Sequence, residues 1–424
     1  VTTDHSASPS PDRSTWLNRT VWAIVLATFC SDFGHEMATA VLPLYLASVG
    51  LGPAALGLIE GTADLLVSLA KLAGGFVGHV VTRKRGWAAL GYLATALGTG
   101  GIALASNLAA VLGLRAAAWT GRGFRSPLRD FLLADSVPSR FYGRAFGLER
   151  AGDMLGAVAG PLVAAVLLGA GADFRTVILA SAVPGLIATA AFYVFTQDRP
   201  TQNPVVHSES TAAPPRRPTF PRGYWLFLVG VVLFGLGDFS RTFLVWLAAH
   251  ALGEDGPPAS GIVSVAVLLY AIHNLVSAAA AYPLGLLGDR RPKLSILIAG
   301  YSLGIATHLL LAFFSGTLAG LLPAILLSAI TLAAEETLEK AVAAEMLPRE
   351  LRSLGFGILA CGNAIGDMVS SVTVGLLLEA GHTRAAFGFA AAMATLGVLW
   401  LLVCFGPTGR PSRAAHPSAQ TDAP

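Results

Sequence analysis

RAAAWTGRGFRSPLRDFLLADSVPSRFYGRAFG, residues 115–147, is the stretch on which the fold turns. Arg115, Arg122, Arg125 and Arg129 interrupt an otherwise apolar segment at spacings of 7, 3 and 4. At about 100° per residue, those spacings place all four on one helical stripe. An arginine facing lipid costs about 2.5–3.5 kcal/mol on insertion scales. Four on one stripe therefore require a face that looks into protein or water. The stretch recurs 210 residues further on: Asp135-Ser-Val-Pro138 returns as Glu345-Met-Leu-Pro348, and Ala145-Phe-Gly147 as Gly355-Phe-Gly357. At the same offset Arg125 and Arg129 become Glu335 and Glu339, so the frame is kept while the charge sign inverts.

Composition sets the class. The chain has 424 residues, 54% hydrophobic and 12% charged, and its mean hydropathy is positive. Soluble proteins carry about 25% charged residues, so these values describe a polytopic membrane protein. Cys30, Cys361 and Cys404 lie far apart in apolar segments and read as buried inert thiols rather than a metal or disulfide set. The polar start of the chain, residues 1–19, lacks the features of a secretory signal. It and residues 407–424 read as disordered cytosolic tails.

A membrane span needs about 20 mostly apolar residues. Twelve segments qualify, at 20–47, 54–81, 87–106, 108–134, 142–170, 174–196, 222–251, 258–287, 294–315, 317–346, 353–380 and 384–406. The expected fold is an all-α membrane protein of twelve transmembrane helices in two pseudo-symmetric six-helix bundles. The bundles are expected at 20–196 and 222–406, joined by a Pro/Ser/Thr/Arg-rich cytosolic linker at 197–221. Of the 28 Lys and Arg, 18 fall in the tails and in loops on the side of the two termini, and only Arg175 and Arg384 on the other. That bias predicts both termini in the cytoplasm, in a multi-pass protein of the bacterial inner membrane.

The duplication extends further. GFVGHVVTRKR at 75–85 matches GLLGDRRPK at 285–293, Gly91-Tyr92 matches Gly300-Tyr301, and Asp32-Phe33 matches Asp238-Phe239. Repeats of this kind, packed around an axis along the membrane normal, are a transporter signature. With these motifs the chain resembles the major facilitator superfamily of secondary transporters over residues 20–406. Gly285, Asp289, Arg290 and Lys293 fit its G-x-L-x-D-R-x-G-R-R/K loop, while His79 stands in the first copy where the family has Asp. Within the superfamily it is similar to a bacterial group of unassigned substrate. The matching pieces are Glu60-Gly61, Lys71, Gly121-Arg-Gly-Phe-Arg125, Pro127-Leu-Arg-Asp130, Gly143-Arg-Ala-Phe-Gly147, Arg150, Asp153 and Gly156. Gly152, Gly156 and Gly160-Pro161 also resemble the Gly-Pro motif of drug/proton antiporters, with Ala164-Ala165 in place of its Gly-Gly.

The interior charges carry the functional expectations. Asp32, His35 and Glu36 share one face of the first span and are the proton-coupling candidates; a permanently paired structural charge is the other reading. Arg115, Arg122, Asp238 and Arg241 are the substrate-cavity candidates, because the resemblance implies that spans 1, 4, 7 and 10 line the cavity. An arginine fork binds a carboxylate or phosphate bidentately. Asp238 and Arg241, at i, i+3, could instead pair with each other. Arg125, Arg129 and Asp130, with Glu335, Glu336 and Glu339, are cytoplasmic gate candidates, as are His79, Asp289, Arg290 and Lys293. The expected gate pairs Arg125 and Arg129 with the glutamates across the axis; pairing of Arg129 with a carboxylate of the second or fifth span is the alternative. Glu60, Asp64, Lys71, Glu149, Arg150 and Asp153 are expected to form networks within the first half. Asn363 and Asp367, at i, i+4, are placed at the cavity edge.

No phosphate loop, metal cluster or nucleophile–base constellation stands out, so neither an enzyme nor a cofactor-dependent or nucleic-acid-binding protein is expected. The reading is a monomeric secondary transporter moving a small organic solute, possibly an anion, by proton-coupled alternating access. The alternatives are a proton antiporter for lipophilic cations, an uncoupled facilitator and, less favoured by the short loops, a membrane-embedded transferase.

Overall fold

The computed structural model describes residues 16–48, 53–198, 219–240, 243–244, 247 and 265–406. The first repeat contains α1 (Arg19–Ser48), α2 (Pro53–Val80), α3 (Arg85–Gly101), α4 (Leu108–Ser136) and α5 (Tyr142–Gly169). A span in two pieces completes it, α6 (Phe174–Ala180) and α7 (Ala182–Phe195). The second repeat contains α8 (Arg222–Gly235), α9 (Val265–Arg290), α10 (Lys293–Phe314), α11 (Leu318–Met346), α12 (Arg352–Glu379) and α13 (Thr383–Phe405). Eight helical segments among the described residues are long and apolar enough to cross a membrane. α1 and α4 fall short of that measure because Asp32, His35 and Glu36 break the hydropathy of one and four arginines that of the other. Outward-facing side chains such as Phe76, Leu97, Val166 and Leu376 are exposed, as lipid solvation allows. The protein is a multi-pass membrane protein built of helices.

The 210-residue offset holds at the level of single residues. α4 and α11 have the same bounds at that offset, as do α5 and α12. Asn107 caps α4 by accepting from Ala110 N at 2.9 Å, and Thr317 caps α11 by accepting from Gly320 N at 3.2 Å. After α5 and α12 the chain reverses through Gly171 (φ 92°) and Gly381 (φ 77°). That left-handed conformation is strained for any residue with a Cβ. Both repeats therefore turn by the same local chemistry.

The seventh span departs from expectation. A continuous helix over 222–251 would put Asp238 and Arg241 one turn apart. Instead α8 stops at Gly235, and residues 238–240 are not helical. Two glycines permit the break. Gly237 passes so near α13 that a Cβ would lie 2.3 Å from Ala390 O, and Gly235 packs against Gly366 of α12. Ser240 N then donates to Ser371 Oγ at 2.9 Å instead of continuing the helix. Arg241 lies outside the described residues.

Glycine rows set the closest helix contacts, as in other membrane bundles. Gly156 and Gly160 seat α5 on α1, each with its virtual Cβ 2.5 Å from a carbonyl oxygen, of Phe29 and Phe33 respectively. Two other pairings join the repeats, α5 with α9 and α2 with α12. They are related by the offset. Gly143 meets Gly285 so closely that a Cβ on Gly285 would stand 2.0 Å from Gly143 O, and Gly75 meets Gly357. One apolar cluster spans both repeats, including Phe131, Leu132, Phe146, Leu338, Leu347 and Phe356. Two further clusters lie each within one repeat, around Tyr45 and Val177 in the first and Phe239 and Phe387 in the second. Among the described residues, the repeats are joined at the end bearing the basic loops and hold separate cores at the other.

Enlarging Gly285 should therefore act on that closed end. Gly285→Val is expected to cost about 1–3 kcal/mol of packing and to bias the molecule towards opening there. The check is a cysteine placed at Ser126 in an otherwise cysteine-free chain. Its labelling by an impermeant maleimide from the basic side should rise.

A charged cavity between the repeats

The broken α8 and the arginine stripe of α4 face a common space of about 310 Å³. The first repeat lines it with Lys71, Arg122, Arg125, Arg129 and Arg150, balanced by Asp130, Glu149 and Asp153. The second lines it with Asp238, Glu335, Glu336, Glu339, Asp367 and Asn363 and, as its one cation among the described residues, Lys340. One wall is thus mixed with basic excess and the other is strongly acidic.

On the first wall, Arg122 grips Asp32 with both terminal nitrogens, at 2.7 and 3.2 Å. Asp32 itself is buried. The Asp153 carboxylate lies near that of Asp32 and accepts from Arg150 at 2.5 Å. The glycine row of α5 makes this meeting possible, since Asp153 sits between Gly152 and Gly156 where α5 is pressed onto α1. Arg125 is turned away from the acidic wall. Its guanidinium donates to Ser31 Oγ at 2.7 Å and lies 3.9 Å from the Tyr92 ring centroid.

The expected gate pairing needs correction. Arg129 binds Glu149 of α5 at 2.8 Å and Asp130 at 2.8 Å, as the alternative had it. Glu339 accepts from the Tyr301 hydroxyl and from Asn363 Nδ2, the latter at 2.7 Å. The reason is saturation: a guanidinium already held by two carboxylates of its own repeat gains nothing by reaching across. Pairs that do cross are Lys340 with Asp130 at 3.8 Å and Arg150 with Glu336 at 3.9 Å, and Lys71 faces Glu336 and Asp367. Asp130 and Lys340 are a third sign inversion at the 210 offset, one that the sequence also carries. Tyr92 and Tyr301 are further repeat mates whose roles became clear only here: one offers its ring to Arg125, the other its hydroxyl to Glu339.

Other candidates sit away from the cavity. His35 is buried with its ring edge-on to Trp119 at 4.8 Å. Arg115 is buried beside the same tryptophan and donates to Thr39 Oγ at 3.3 Å. Neither is among the residues that line the space, and neither is Glu36. The side chains of Glu60 and Asp64 lie outside the described residues. No three His, Cys, Asp or Glu among the described residues come together as a metal site.

At the closed end, the α9 residue Asp289 accepts from the backbone N–H groups of Gly143 and Arg144, at 2.8 and 3.1 Å, and forms an ion pair with the Arg144 side chain. A carboxylate from one repeat thus caps the N-terminus of a helix in the other, where the helix dipole favours it. Lys293 supports Asp289 at 3.4 Å and binds Glu345 at 2.7 Å, while Arg290 is exposed. At the related contact His79 donates Nδ1–H to Glu350 O at 2.8 Å. Arg349 grips Asp135 across the repeats.

Comparison with known proteins agrees with this architecture. A relative from Methanocaldococcus jannaschii, an uncharacterised MFS-type transporter, is 24% identical over 85% of this chain and 89% of its own. The human organic anion transporter MFSD10 superposes with a TM-score of 0.72 at 14% identity, covering 90% of this chain and 99% of that one. The Escherichia coli fucose:proton symporter superposes with a TM-score of 0.67 at 14% identity, covering 90% and 97%. The sequence profile of the Major Facilitator Superfamily matches residues 24–272 and 259–423. With two pseudo-symmetric helical bundles and a profile match over nearly its whole length, this chain belongs to the Major Facilitator Superfamily.

Proposed function

We propose that the protein moves a small organic solute across the inner membrane by alternating access through the charged cavity, coupled to protons at Asp32. The basic end is the cytoplasmic one, so the closed contacts of Asp289, His79 and Arg349 form the cytoplasmic gate. One observation carries the coupling: Asp32, buried in the first repeat, accepts both prongs of Arg122. A proton arriving on Asp32 removes the charge that occupies Arg122. The released guanidinium, on the cavity surface, can then hold an anionic group of the solute; loss of the proton restores the pair and expels that group. Coupling follows from competition between carboxyl and solute for one arginine, with Arg125, Arg150 and Asp153 fixing the surroundings. Similarity to a proton symporter and to an organic anion transporter supports this reading.

Proteoliposomes loaded with a pH-sensitive dye and challenged with a panel of organic acids, amines and amino acids test it. A solute that evokes proton flux in the native protein should lose it by about tenfold or more in Asp32→Asn, while solute exchange without net proton movement persists. Arg122→Gln should abolish both. Equal proton flux in native and Asp32→Asn proteins would refute the assignment.

The crossing pair makes a separate expectation. In a double-mutant cycle of Asp130→Asn and Lys340→Gln, transport or stability should show a coupling of about 0.5–3 kcal/mol, with the double variant better than the sum of the singles. Additive losses would exclude a direct link across the axis.

A further inference from the structure

The acidic wall has an asymmetry that the Arg122 switch leaves unused. Glu335 on α11 is 7% exposed and lies on the cavity surface. Among the described residues it has neither a hydrogen bond nor a cation within ion-pair distance, and the carboxylates of Asp238, Glu336, Glu339 and Asp367 line the cavity with it. Beside it, Asn363 gives its amide nitrogen to Glu339 and keeps Oδ1 buried without a donor. α8 ends at the same wall: Gly235 packs beside Asp367 and the backbone of Asn363. The C-terminus of a helix carries about half a negative charge, and unwound helix ends of this kind receive cations in membrane transporters. An unpartnered carboxylate, an orphaned acceptor oxygen and a helix C-terminus all ask for positive charge and N–H donors. Glu335 and Asn363 line the cavity from neighbouring helices, an arrangement with room for an organic nitrogen group.

We propose that Glu335, Asn363 and the end of α8 form a subsite for a positively charged nitrogen, an ammonium or guanidinium, of the transported solute. The subsite rests on the reading that the cavity is the solute site. The size of the space, about 310 Å³, suits a small solute, and the carboxylate lining favours a hydrophilic cation over a lipophilic one. A solute that also carries a carboxylate would span the axis, with its anion at Arg122 and its nitrogen at Glu335.

Thermal unfolding of the full-length, detergent-purified chain tests the inference. The probes are agmatine and putrescine as nitrogen cations, arginine as the same guanidinium with a carboxylate, and succinate as an anion, all at equal ionic strength. The expected result is stabilisation by a nitrogen cation or by arginine, weakened at least tenfold in apparent affinity by Glu335→Gln but unchanged by Arg83→Gln in the exposed loop. Asn363→Leu should weaken it as well, and serves if Glu335→Gln does not fold. Stabilisation by nitrogen cations that survives both cavity variants would overturn the subsite. Stabilisation by succinate alone, lost in Arg122→Gln, would overturn it while leaving the cavity as the solute site. If no probe of either sign stabilises the protein, the cavity reading falls with the subsite.

Discussion

A charge inside a membrane-spanning bundle must be answered by another charge or by water, because leaving it unpaired costs several kcal/mol. This chain places a dense set of titratable groups at the meeting of its repeats, and much of its architecture follows from satisfying them. Arg122 and Asp32 fix the face of α4 towards α1. Arg129 and Glu149 fix it towards α5. The glycine row of α5 is what lets those helices come near enough for carboxyl and guanidinium to touch. The pairing runs short at Glu335, which has neither a hydrogen bond nor an ion pair among the described residues and lies among other carboxylates.

The large features were legible in the sequence for a physical reason. Hydrophobic length and the 210-residue duplication report on backbone geometry, and backbone geometry is what the two copies share. Thus 108–134 and 142–170 anticipated α4 and α5 to within two residues. The break in α8 was hidden because residues 222–251 are apolar throughout most of their length; only Gly235 and Gly237 hinted at it, and glycines are common in membrane helices. Partner choice was the least legible. The sign inversion at 125/335 and 129/339 suggested direct pairing across the axis. Yet which charge meets which depends on side-chain reach and prior saturation. The crossing contacts fell instead on Asp130–Lys340 and Arg150–Glu336.

The two contacts that bind the repeats at the basic end show how a duplicated frame can diverge in chemistry. Asp289 meets the N–H groups of a helix start, an electrostatic bond between a full charge and a dipole. His79, at the related position, meets a carbonyl and needs its own N–H to do so. The glycines beneath them, Gly285 and Gly75, preserve the close approach in both places. Geometry was kept while the bond type changed, so the two contacts are alike in shape and different in chemistry.

The inverted charges at positions 125/335, 129/339 and 130/340 also bear on ancestry. A six-helix unit paired with an identical copy would bring like charges to both sides of a two-fold axis, and the repulsion would rise with burial. Inversion at all three positions removes that repulsion, yet among the described residues a bond across the axis forms at one of them, Asp130 with Lys340 at 3.8 Å. Arg125, Arg129 and Glu339 are answered within their own halves, so a change of sign makes the halves compatible even where it does not make them partners.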